Sequence, residues 1–237
     1  MWANKMEDIL KEFNEIEWRT YETFSALSAF ESFWKETERL VSDAAQNEEL
    51  LDGPKWTPAN QEEHAEYLEE RRIVRHLHDE VVTPTFRYAS VVTLFATFER
   101  EIKRFADNLA KIETAKISYK DLKGGLLEQI SKYADAFCGF STSGLTGYGQ
   151  ICDLQKVRDC VVHCHGDPAL SRDKAYLLKL GSSTKGLEIY DGAPIEIAPL
   201  FIENSLVAVR DFFRELFSKV GWKVNERRLT PRGTNNR

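Results

Sequence analysis

The chain has 237 residues, 42% of them hydrophobic, a formal net charge of −6 and a pI near 5.5. That composition is sufficient for one domain, or for a core domain with an extension, and it argues against a protein whose main work is coating duplex phosphates, which calls for a basic surface. No run of about 20 apolar residues stands out and the first residues turn acidic at once, so the expected location is the cytoplasm, with no membrane partner.

The first segment, about 3–47, has neither Gly nor Pro. Met6, Ile9, Phe13, Ile16, Thr20, Phe24, Leu27, Phe30, Trp34 and Val41 recur at helical spacing, which predicts a long amphipathic helix ended by Leu51-Asp52-Gly53-Pro54. Thr57-Pro58, Thr83-Pro84 and Asp167-Pro168 each place a capping side chain before a proline and predict three helix starts. The second helix, about 58–82, is highly charged, with a stripe of Tyr67, Val74, Leu77 and Val81. The third, about 84–113, is the most apolar and is expected at the centre of the core through Val91, Leu94, Phe95, Phe98, Ile102, Phe105 and Leu109.

Gly124-Gly125 opens a shorter helix at about 126–137, and a Gly- and Ser-rich loop follows over 139–149. A helix over about 148–165 carries Ile151, Leu154, Val157, Val161 and Cys164 on one stripe, with Gly166 as its C-terminal cap. After a helix near 168–180 the period changes. Leu187, Ile189, Ile195 and Ile197 alternate around Asp191-Gly192, which predicts a β-hairpin over 186–198. A last helix covers about 199–220, and the arginine-rich tail 225–237 is expected to be disordered. The reading is an all-α protein with one small hairpin, organised as an N-terminal helical extension (1–82) and a helical core (83–224).

The string Val157-Arg158-Asp159-Cys160-Val161-Val162-His163-Cys164-His165-Gly166 carries the chemistry. An arginine followed by a polar residue and, five positions on, a histidine resembles the Rx4–6H motif of the HEPN superfamily, whose members include endoribonucleases of toxin–antitoxin and phage-defence systems as well as inactive relatives. The resemblance covers roughly 83–222. It implies a HEPN-like helical bundle, an RNA substrate and a homodimer in which two motif helices form one cleft. It also implies an antitoxin or defence-system partner protein, no cofactor and no metal. The catalytic residues it implies are Arg158 and His163, with Asp159 orienting a neighbour. The alternative is a non-catalytic HEPN module for dimerisation or partner binding.

These residue types suit RNA cleavage by its own 2′-hydroxyl. Histidine titrates near neutrality and can take or give the proton, and a guanidinium can fork two hydrogen bonds to a phosphate gathering charge. On an ideal helix His163 lies about 140° round from Arg158, whereas His165 lies within about 20° of it, so His165 stays a competitor for the acid–base role. His165 also occupies the place where a family variant has a tyrosine that is modified with adenylate. Four cysteines, Cys138, Cys152, Cys160 and Cys164, form no CxxC pair, and apolar-face packing explains Cys160 and Cys164 better than zinc does. Arg75-His76-Leu77-His78 is read as a solvated face with ion pairs at one-turn spacing.

Overall fold

The structure, a computed structural model, describes residues 18–46 and 60–224. The expected helix start at Thr57-Pro58, the stop at 51–54, the first part of the N-terminal helix and the tail 225–237 lie outside the described residues.

The described chain is predominantly helical, as the sequence predicts. In order it forms α1 (Trp18–Gln46), α2 (Gln61–Leu77), a π-helical turn (His78–Val82), α3 (Thr83–Ile112), α4 (Leu126–Cys138), α5 (Tyr148–Cys164), α6 (Lys174–Ser183), strands β1 (Leu187–Glu188) and β2 (Glu196–Ile197), and α7 (Pro199–Lys219). Short 3-10 turns at Tyr119–Asp121, Thr142–Gly144 and Pro168–Leu170 join some of them.

Two helix starts differ from expectation. Thr83-Pro84 begins no new helix: α2, the π-turn and α3 run on as one helix, Gln61–Ile112. Pro84 has no N–H for the carbonyl four residues back, and its ring would press on that carbonyl in a regular α-turn. The chain widens instead, and the Thr83 N–H donates to His78 O. Asp167-Pro168 does cap a start, with the Asp167 side chain accepting from the Ala169 N–H, but of a single 3-10 turn; α6 begins separately at Lys174. The true cap of α2 is Asn60, whose side chain accepts from the Glu63 N–H.

The continuous helix also contains one 18-residue window that, by length and composition alone, is apolar enough to cross a membrane; 28% of that window is buried. The core helix of a soluble protein passes the same test, and α3 buries Val91, Leu94, Phe95 and Phe98.

The described residues divide into two compact units, one formed by 18–30, 96–152 and 206–224, the other by 31–46, 60–95 and 153–205. The first unit is held by an aromatic cluster in which Phe98 meets Phe212 and Phe213, and Phe217 stacks on Phe213 and Trp222. Its buried carboxylate, Glu101, is paired with Arg100 and Arg104 and accepts from the Thr23 hydroxyl, as a charge in an apolar setting requires.

The second unit contains residues 153–164 of the motif helix, Arg158 and His163 among them. Leu154, Val157, Cys160, Val161 and Cys164 of α5 are buried, along with Trp34, Leu94, Phe95, Leu177, Leu180 and Phe201. Trp34 stacks on Phe86 at 5.3 Å, and Arg87 of α3 binds Glu38 at 2.7 Å. The expected hairpin is present: β1 and β2 pair antiparallel with Leu187 opposite Ile197 and Glu188 opposite Glu196. Its apolar residues Leu187, Ile189, Ile195 and Ile197 are all buried, so the alternation in the sequence reflects one covered face.

Candidate functional site

Helix α5 presents its apolar stripe inward, which leaves Arg158, Asp159, Val162 and His163 on its other sides. Arg158 and Asp159 are half-buried, whereas Val162 and His163 are exposed. Arg158 Nη1 donates to Asp159 Oδ1 at 2.8 Å, and its guanidinium carbon lies 5.1 Å from the centre of the Phe95 ring. A planar cation over an aromatic face is well held there.

His163 faces a groove of about 450 Å³ bounded by α5, the 3-10 turn at Pro168–Leu170 and the start of α6. Asp159, His163 and Cys164 line one wall, and Leu170, Ser171, Arg172 and Asp173 line the other. Asp173 is fixed by Lys156 Nζ at 2.8 Å and by its own N–H, which donates to Ser171 Oγ at 3.1 Å. Arg172 reaches Asp173 only at 3.9 Å and has an almost fully exposed side chain. The lining thus carries two carboxylates, one guanidinium and one imidazole.

Of the four residues singled out from sequence, the structure brings Asp159 and His163 to the groove. Arg158 touches it only through Asp159, and His165 is not among its lining residues. The ideal-helix argument that aligned His165 with Arg158 does not apply, because α5 ends at Cys164 and His165 has a left-handed backbone, φ 53°. Histidine is one of the few non-glycine residues enriched there.

The turn after His165 is pinned from two directions. The Tyr88 hydroxyl donates to Ile195 O at 2.7 Å, and the Ile195 N–H donates to Gly166 O at 2.9 Å. Gly166, φ 81°, sits so close to Tyr88 that a Cβ there would fall 2.3 Å from the hydroxyl oxygen. Burial, followed by the neighbouring Cys160 and Glu196, pushes the Tyr88 phenol up to about 12. Burial, with Cys164 next in importance, pushes the Cys160 thiol up to about 12. Cys160 is therefore a packed, protonated thiol, and among the described residues no group of three or more His, Cys, Asp or Glu side chains is placed to hold a metal ion.

Sequence reasoning missed two contributors. Arg172 gave no signal beyond its position after the Asp167-Pro168 turn. Tyr88 read as one more aromatic on the apolar helix, and its partner Ile195 is 107 residues away. Comparison with protein-family models, curated proteins and solved structures finds no match to this chain.

Proposed function

We propose that the chain is a HEPN-like, metal-independent endoribonuclease of a toxin–antitoxin or phage-defence system, cytoplasmic and active as a homodimer. The observation that carries this reading is His163: an exposed imidazole at the wall of a groove whose lining also includes Asp159 and Arg172. In the proposed reaction the imidazole takes the proton from a ribose 2′-oxygen, which attacks the adjacent phosphorus. The bond to the 5′-oxygen breaks, that oxygen takes up a proton, and a 2′,3′-cyclic phosphate remains. Arg158 serves the charge gathering on the phosphate, and the second copy supplies the other Arg–His pair.

A specific observation favours the second reading, a non-catalytic module for dimerisation or partner binding. Arg158 is occupied by Phe95 and Asp159, and the groove lining holds two carboxylates to one guanidinium. An RNase assay in the presence of EDTA, on the wild type and three variants, separates the readings. For the nuclease, the wild type cleaves despite the chelator. Arg158→Ala then costs roughly 3–4 kcal/mol of transition-state stabilisation, and His163→Ala costs about a hundredfold or more in rate, with both variants still folded. His165→Ala costs much less. A wild type that cleaves no RNA with its antitoxin absent establishes the module, and loss with His165→Ala alone would move the acid–base role two residues along.

A further inference from the structure

The charges along the groove beside His163 are not equally committed. On the α5 wall, Asp159 holds the Arg158 guanidinium at 2.8 Å. On the facing wall, Asp173 is held by Lys156 Nζ, also at 2.8 Å. Each lining carboxylate is thus matched by a cation that does not itself line the groove. Arg172 is the guanidinium of the lining, and its ion pair with Asp173 is 3.9 Å long, beyond hydrogen-bond length. Its backbone, by contrast, is fixed. The Ser171 N–H donates to Pro168 O at 3.1 Å and the Lys174 N–H to Ser171 O at 3.2 Å, so Arg172 sits in a tight turn ahead of α6. Ser171 Oγ accepts from the Asp173 N–H, which leaves its hydroxyl hydrogen to be donated.

We propose that Ser171 and Arg172 form a phosphate subsite, which holds an RNA strand in the groove by a phosphate other than the one being cleaved. A chain of net charge −6 repels a polyanion at long range. A strand that reaches His163 therefore needs a local cation, and Arg172 is the one the lining offers. A guanidinium forks two hydrogen bonds to phosphate oxygens, and the Ser171 hydroxyl adds a third donor on the same wall. The contact lies away from the reacting atoms, so it is equal in ground and transition states and serves binding rather than the chemical step. The inference rests on the nuclease reading for its ligand, and adds to it a residue that the Arg158–His163 motif does not contain.

The test uses the full chain and an RNA oligonucleotide that is 2′-O-methylated at every ribose. This probe offers the phosphates but no nucleophile, so binding is read apart from cleavage. Arg172→Ala is expected to weaken binding about tenfold or more, and to make the dependence of log Kd on log salt shallower by about 0.7, one phosphate contact on a single strand. Arg172→Lys keeps the charge but loses the fork, and its affinity should fall between the two. Because the Arg172 side chain is 89% exposed, both variants are expected to keep the wild-type thermal melt. With cleavable RNA, the loss in Arg172→Ala is expected in KM rather than in kcat. Affinity and salt slope unchanged in Arg172→Ala overturn the subsite even where the wild type cleaves RNA. A loss confined to kcat, or a wild type that does not bind the methylated strand, overturns it as well. A wild type that binds this strand through Arg172 yet cleaves no RNA upholds the subsite and removes the nuclease reading alone.

Discussion

Arg158 and His163 are five residues apart on one helix and serve different surroundings. The arginine is spread over Phe95 and joined to Asp159; the histidine faces the groove. What aligns the histidine's end of the helix is the turn behind it, and Gly166 is its tightest point. A side chain at φ 81° costs roughly 1–2 kcal/mol in backbone terms, before the contact with Tyr88 at 2.3 Å is counted. Gly166→Ala should therefore lower the urea midpoint by more than the backbone cost alone. Tyr88→Phe by itself should cost about 1 kcal/mol, the hydrogen bond to Ile195 O. In the Gly166→Ala background it should cost less, because it also removes the nearest clashing atom, and a double-mutant cycle reads that difference. Simple additivity would show that Tyr88 does not press on this turn.

Among the elements, the π-turn is the one whose cause is a single residue. Pro84 withdraws one donor from the helix and crowds one carbonyl, and His78–Val82 absorb both effects. Pro84→Ala should return this stretch to α-geometry and stabilise it against local opening by about 1 kcal/mol or more, seen as slower hydrogen exchange over residues 78–85. Unchanged exchange would assign the turn to other contacts. The same residue shows why part of the fold was legible and part was not. Stripes such as Ile151–Leu154–Val157–Val161–Cys164 and the alternation of 187–197 are local patterns whose burial the structure bears out. Thr83-Pro84 carries an equally good local start signal, but whether a helix stops at a proline depends on whether the turn before it can widen, and no propensity encodes that. The site divides in the same way. His163 and Asp159 were readable as motif positions, whereas Arg172 and the Tyr88–Ile195–Gly166 bracket arise from chain segments that meet only in three dimensions.

For the whole molecule, alkaline pH is the informative stress. The Cys160 thiol is raised from 9.0 to about 12, and the Tyr88 phenol from 10.0 to about 12, each chiefly by burial. Both groups are neutral when protonated, and the unfolded chain releases their protons at lower pH than the folded one. Their contribution is thus complete below about pH 9 and is lost as pH rises towards about 12. Denaturant midpoints should be flat from neutrality to about pH 9 and fall beyond it, with a shallower fall in Cys160→Ala and Tyr88→Phe. A midpoint that holds steady across that range would mean that neither group is sheltered.

The bracket at the end of the motif helix has an evolutionary corollary. A glycine, a tyrosine and a backbone pair from a hairpin loop form one closed contact, in which the space for residue 166 is set by the ring at residue 88. Selection cannot then act on the two positions separately. Lineages that keep an aromatic hydroxyl at 88 should keep glycine at 166, and those that lose the glycine should carry a smaller residue at 88. Because the backbone of Ile195 makes both bonds, position 195 should vary in side chain as long as it stays apolar, while insertions around it are purged. Coupled substitution at 88 and 166 would thus mark descendants of this architecture even where the arginine and histidine of the motif have been lost.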